Sequence, residues 1–190
     1  MKEEIVLLCV DDEEMILRSL KRELNDELGK EYLIETAEGG KDALDLFTEL
    51  VDDGYEIPVV ISDHIMPGMK GDELLQRIHE RSPDTLKVML TGQADMEAVT
   101  NAVNTANLYR YIAKPWEKTD LILTVKEALH RYFQAKDLED HRRHLERANQ
   151  ELLQLNTAYE RFVPREFLKC LNKNTILDVR LGDQVQKEIS

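Results

Sequence analysis

The chain has little cysteine, no long apolar run and no surplus of basic side chains. Only Cys9 and Cys170 occur in 190 residues. That excludes a disulfide-built scaffold. Cys9 lies inside an apolar run and reads as a buried thiol, so a reducing cytoplasm is the expected home. No apolar stretch approaches the roughly 18 residues that a membrane span needs. The opening MKEEIVLLCVDDEE is too acidic, and its apolar part too short, for a secretory signal. Lys and Arg number 25 against 38 Asp and Glu, a formal net charge of −13. Phosphate binding needs a basic face, so this charge argues against a general DNA or RNA binder. No internal repeat and no low-complexity stretch is present. With 42% apolar and 33% charged residues, the composition is that of a soluble globular chain and not of a disordered one.

The charge is unevenly placed. Residues 1–137 carry 16 basic and 29 acidic side chains, whereas residues 138–190 carry 9 of each. The acidic excess belongs to the first part, which marks a boundary near 137.

Apolar runs alternate with helical spacing along that first part. IVLLCV (5–10) is a short continuous run of the kind buried on both faces of a parallel sheet. Met15, Ile16, Leu20, Leu24 and Leu28 then recur at helical intervals over 13–28. The same alternation gives strands at 32–37, 58–63, 85–92 and 108–115. Helices are expected at 39–53, 71–81, 94–104 and from Lys118. Five such units in about 130 residues predict an α/β fold, an open parallel sheet with helices on both faces.

The last helix does not stop where the sheet does. From 118 to 162 there is no Gly and no Pro. Leu121, Val125, Leu129 and Tyr132 read as the face against the sheet. Beyond them Leu138, His141, Leu145, Ala148, Leu152, Leu155, Tyr159 and Phe162 follow at alternating intervals of three and four. That is an a/d heptad register. It predicts a parallel two-stranded coiled coil with Leu138, Leu145, Leu152 and Tyr159 at a, and with Asp137 at g facing Arg142 at e of the partner. An amphipathic helix folded back on its own domain is the alternative. His141 and Ala148 weaken the seam, so the coil is expected to be able to shift or open. Pro164 ends the helix and suits the first position of another, PREFLKCL (164–171).

Chemistry gathers at the predicted C-terminal ends of the strands, the edge where open α/β sheets build sites. Asp11 and Asp12 follow strand 1, Asp63 ends strand 3, Thr91 ends strand 4 and Lys114 ends strand 5. Singly, an Asp at a strand end is more often a turn or cap residue. Together the set offers hard oxygen ligands for Mg²⁺ or Mn²⁺, a nucleophilic carboxylate, a hydroxyl and a cation. Such a set can receive a phosphoryl group.

At VDDEE (10–14), ISDHIMPGMKGDELL (61–75), VMLTGQAD (88–95) and YIAKPW (111–116) the chain resembles the receiver domain of two-component response regulators. The resemblance covers about residues 3–135. It implies a flavodoxin-like sheet in the order 2-1-3-4-5 and phosphorylation by a histidine kinase or a phosphotransfer protein. Asp63 would be the phosphoacceptor. Asp12 and Asp63 would ligate Mg²⁺ directly, Asp11 through water, and the backbone carbonyl of Ile65 would complete the shell. Thr91 and Lys114 would bind phosphoryl oxygens, with a cis peptide between Lys114 and Pro115. Tyr111 matches the aromatic switch position, so the face built from strand 4, the next helix and strand 5 would change state. Ile65 and Gln93 depart from the usual residues at two positions that tune attack of water on the phosphoryl group. His64 is read as a solvent-side loop residue.

RFVPREFLKCLNKNTILDVRLGDQVQKEIS (161–190) resembles the stretch that precedes class III adenylate or guanylate cyclase catalytic domains. The expected organisation is a receiver at 1–135, a coiled-coil linker at 136–163 and a cyclase-transducer-like segment at 164–190 that leads into an effector domain outside this sequence. The fragment would be regulatory and not itself an enzyme, a cytoplasmic homodimer with no nucleic-acid or membrane partner. A stand-alone adaptor, or a receiver fused to a serine phosphatase or a diguanylate cyclase, are the rival readings. A transcription factor fits least, because the tail has no basic recognition helix.

Overall fold

A computed structural model of the chain describes residues 5–92, 103, 105–162, 168, 169, 171 and 172, without the side chains of 159–162. Among the described residues the elements run β1 (Ile5–Val10), α1 (Glu14–Leu28), β2 (Leu33–Ala37), α2 (Gly40–Asp52), β3 (Glu56–Asp63), α3 (Gly71–Arg81), β4 (Leu86–Thr91), β5 (Arg110–Ala113) and α4 (Lys118–Phe162). All neighbouring strands pair in parallel, in the order β2-β1-β3-β4-β5. This is the expected flavodoxin-like sheet. Of the helix expected at 94–104, only Val103 lies among the described residues, and it is helical.

Each apolar strand feeds two cores because its side chains alternate between faces. Leu7 and Cys9 of β1 join Leu17, Leu20 and Leu24 of α1 and Leu121, Val125 and Leu129 of α4. Val6, Leu8 and Val10 join Ala43 and Phe47 of α2 and Leu74, Leu75 and Ile78 of α3 on the other face. Leu20 and Leu24 are fully buried, so truncating either to Ala costs about 2–5 kcal/mol. Cys9 is buried among them, and burial pushes its thiol up to about 12 despite the Lys21 charge. It is an inert core thiol.

Two features interrupt the regular pattern. Pro58 sits inside β3, and the β1–β3 register slips there, from Ile5 opposite Glu56 to Leu7 opposite Val59. A proline has no N–H to give the ladder, so the slip falls where the bond is missing. Lys87 lies within β4 and is buried. Its ammonium meets His79 Nδ1 at 2.9 Å, the Pro83 carbonyl at 3.1 Å and the Ser82 carbonyl at 3.4 Å. Three acceptors satisfy its three N–H groups at the C-terminal end of α3. Burial still pulls Lys87 down to about 8, partly offset by Asp84.

The chain divides into two compact units, Met1–Ala135 and Lys136–Ser190. In the second unit, Leu138, Leu145, Leu152 and Leu155 of α4 are 52–72% exposed. Spaced by seven, seven and three residues, they fall on one stripe of the helix. Leu153, also exposed, lies off that stripe. Arg142 bonds Glu139 and Glu146, and Arg143 bonds Glu139. The Arg142 bond, with Arg143 adding to it, holds Glu139 down to about 2. These intrahelical pairs support the exposed part of the helix.

The loop after β3 is closed by the backbone. The Gly71 N–H donates to the His64 carbonyl (2.9 Å), and the His64 N–H donates to the Leu90 carbonyl (3.0 Å). A Cβ at Gly71 would run into the Asp63 carbonyl oxygen. Backbone cannot step aside as a flexible side chain can. Gly71→Ala should therefore lower stability by about 3 kcal/mol, the upper end of overpacking costs. Urea denaturation would check this, and a loss under about 1 kcal/mol would mean that the loop gives way freely.

Candidate functional site

The strand order brings β1 and β3 side by side, so the residues leaving their C-terminal ends share one edge. Asp11 is fully buried and Asp63 is 6% exposed. Lys114, just past β5, reaches both. Its Nζ lies 2.7 Å from Asp11 Oδ2 and 2.6 Å from Asp63 Oδ1. The other oxygen of each carboxylate accepts a backbone N–H. Glu13 donates to Asp11 Oδ1 at 2.9 Å, and Ile65 donates to Asp63 Oδ2 at 3.0 Å. Lys114 is itself fixed to β4, its backbone N–H donating to the Thr91 carbonyl at 2.8 Å. The Lys114–Pro115 peptide is cis.

Burial pushes the Asp63 carboxyl above its ordinary value, and the Lys114 bond only partly offsets this. Burial works against the Lys114 charge too, but its bonds to Asp11 and Asp63 win and hold it above the usual lysine range. The signs differ for stability. Lys114 contributes stability that is present below the ordinary lysine value and is lost as pH climbs through its raised value. Asp63 is more stably folded when protonated, so its ionisation costs stability as pH rises above the ordinary carboxylate range.

The remaining expected residues are placed as follows. Thr91 is buried at the end of β4, next to Leu90, which pairs with Asp63, and its Oγ1 donates to the Gly92 carbonyl (3.1 Å). Asp12 is exposed beside Asp11. Ile65 is 62% exposed and Tyr111 47% exposed, so the Tyr111 ring faces outward. Gln93 and Cys170 lie outside the described residues. His64 corrects the sequence reading. It is buried at 7% exposure and not on the solvent side, because its two backbone bonds draw the loop inward. Sequence reasoning also missed the backbone N–H groups of Glu13 and Ile65 as carboxylate donors. Their only signal was the position two residues after each Asp, the spacing of an Asx turn.

The donor set suits a hard divalent cation. Asp11 and Asp63 place two carboxylates at one buried edge against a single ammonium, with Asp12 adjacent. That surplus of negative oxygen matches Mg²⁺ chemistry. Among the described residues no group of three or more His, Cys, Asp or Glu is arranged to hold a metal ion. Here Lys114 fills the place between the two buried acids.

A family described as the response regulator receiver domain matches residues 7–126. The chain belongs to that family. Among curated relatives, the hydrogenase transcriptional regulatory protein HoxA of Cupriavidus necator is 32% identical over 123 residues. That match takes in 65% of this chain and 24% of HoxA, so the receiver spans about a quarter of that relative. The solved receiver domain of an HD domain-containing protein from Pseudomonas fluorescens is 33% identical with a TM-score of 0.62, covering 69% of this chain and 98% of that one. A structure described as adenylate cyclase from Rhodopirellula baltica is 28% identical with a TM-score of 0.63, covering 72% and 96%.

The receiver is accordingly a regulatory domain of the two-component type, responsive to phosphorylation. Receivers of this family use Mg²⁺ for phosphorylation of an aspartate. No described helix is long and apolar enough to cross a membrane.

Removing the shared ammonium tests this electrostatic arrangement. Lys114→Met leaves two buried carboxylates facing one another. It should cost about 2–3 kcal/mol at pH 7, below the full buried-pair value because the lysine side chain is 22% exposed. Part of the loss should return as pH falls toward 4, when a carboxyl can protonate, or on adding Asp63→Asn. Denaturant titrations of the single and double variants at two pH values would show it. A pH-independent loss would rule out the charge explanation.

Proposed function

We propose that this receiver accepts a phosphoryl group on Asp63 and passes the change to a dimeric coiled coil that controls a nucleotidyl cyclase. The observation that carries the reading is the buried Asp63 carboxylate at the end of β3, bonded by Lys114 at 2.6 Å, with Thr91 on the adjacent strand. An Asp63 oxygen attacks phosphorus, the P–N bond of a phosphohistidine breaks, and its electron pair goes to the imidazole nitrogen. The product is an acyl phosphate. Asp12 and Asp63 would hold Mg²⁺ directly, Asp11 through water, with the Ile65 carbonyl completing the set. When bound, the ion neutralises charge on the transferring oxygens. Lys114 exchanges its Asp11 contact for a phosphoryl oxygen, and the Thr91 hydroxyl turns from Gly92 toward another. Tyr111 then moves inward into the space that Thr91 vacates.

Downstream, the exposed stripe of Leu138, Leu145, Leu152 and Leu155 supports a parallel dimer, since an apolar seam this long gains by pairing. Arg142, expected opposite Asp137 of the partner, already bonds Glu139 and Glu146 in its own helix. That pair therefore adds little to partner choice. The cyclase output rests on the motif at 161–190 and on the Rhodopirellula structure's description. The HD-domain relative supports a second reading, in which the same switch serves a different enzyme.

Incubation with Mg²⁺ and a small-molecule phosphodonor should add one phosphoryl group by intact mass, absent in Asp63→Asn and blocked by chelator. No gain under conditions that load other receivers would sink the phosphoacceptor reading. Joined to a class III cyclase catalytic domain, the chain should make cyclase rate depend on the phosphodonor. Leu145→Lys with Leu152→Lys should abolish both that dependence and the dimer seen by sedimentation. A wild-type chain that stays monomeric at micromolar concentration, with and without phosphodonor, would defeat the coil.

A further inference from the structure

Lys114 acts at the end of a flexible stem, so its reach depends on where its backbone is held. On one side the Lys114 N–H is tied to Thr91. On the other side the tie comes from a different element. Two residues on, the Trp116 indole N–H donates to Glu23 Oε2 of α1 at 3.1 Å. The second oxygen of Glu23 accepts the Ser19 hydroxyl at 3.0 Å, which fixes the carboxylate. The indole is half-buried and packs against the α1 side of the core. Ile16, Ser19, Glu23, Lys114, Pro115 and Trp116 line one cleft of about 430 Å³. The neighbouring pairs of Lys118 with Asp26 (3.7 Å) and Glu27 (3.5 Å) are long and exposed, so they add little. The indole bond is the directional tie.

We propose that Glu23 is a positioning residue for Lys114: by holding Trp116 it keeps the segment 114–116 in the place from which the ammonium reaches Asp11 and Asp63. The inference rests on the reading of Asp63 as phosphoacceptor for its functional consequence, and on geometry alone for the placement. Displacement of a catalytic group by about 1 Å can cost up to 100-fold in rate. Loss of one remote tie should therefore be felt without disturbing the fold.

Three variants separate the possibilities. Trp116→Phe keeps the ring but loses the N–H. Glu23→Ala loses the acceptor, and Glu23→Gln keeps an acceptor oxygen without the charge. Hydrogen exchange at the Lys114 amide should speed up about 5- to 10-fold in the Phe and Ala variants, with β1 amides unchanged. The phosphorylation rate at saturating Mg²⁺ and phosphodonor, followed by intact mass, should fall by a similar factor. Glu23→Gln should restore both. Unchanged exchange at Lys114 would overturn the proposal, as would faster exchange with a wild-type phosphorylation rate. A Gln variant that behaves like Ala would also overturn it, since charge and not the indole bond would then matter. If the wild type takes up no phosphoryl group, the role given to Asp63 fails separately, and the exchange result alone decides whether Glu23 holds the segment.

Discussion

One ammonium group holds two buried carboxylates at the open edge of the sheet. Asp11 and Asp63 leave adjacent strands, and without Lys114 their charges would face each other in a medium that screens poorly. With it, the ends of β1, β3 and β5 are drawn to one point. Backbone N–H groups from Glu13 and Ile65 complete the hydrogen bonding of both acids. The arrangement is held in place yet carries a surplus of negative charge. That surplus is what a divalent cation and an electrophilic phosphorus would exploit. In the proposed reaction, the Lys114–Asp11 bond that stabilises the resting edge is the one exchanged.

The fold was legible because its signals are local. Short apolar runs such as IVLLCV suit strands buried on both faces, and the helical intervals between them leave few topologies. Carboxylates at strand ends then mark the edge. What was not legible depends on bonds between distant residues. His64 looked like a loop residue because nothing near it in sequence shows that Leu90 and Gly71 pull its backbone inward. Lys87 sits in the core because His79, Ser82 and Pro83 happen to converge on its ammonium. Glu23 and Trp116 meet across 93 positions. The fifth strand, expected at 108–115, spans only Arg110–Ala113, and Pro115 has no N–H to extend the ladder.

The long helix plays two roles with one apolar alphabet. Leu121, Ile122, Val125, Ala128 and Leu129 are buried against the sheet. The leucines from 138 onward recur chiefly every seven residues and stay exposed. A helix segment so open must draw on its own i,i+3 and i,i+4 pairs, and Glu139, Arg142, Arg143 and Glu146 supply them. Salt would weaken those pairs while strengthening any apolar seam. Ionic strength thus shifts the balance between those pairs and the proposed seam.

Trp116 is the one tryptophan of the chain. Its indole N–H is bound to a carboxylate, and it stands two residues from Lys114. Indole emission responds to local charge and to hydrogen bonding at that nitrogen. The receiver therefore carries its own optical label at the edge where the chemistry gathers, with no second tryptophan to blur the signal. Its emission gives the proposed phosphorylation of Asp63 a readout that needs no added label.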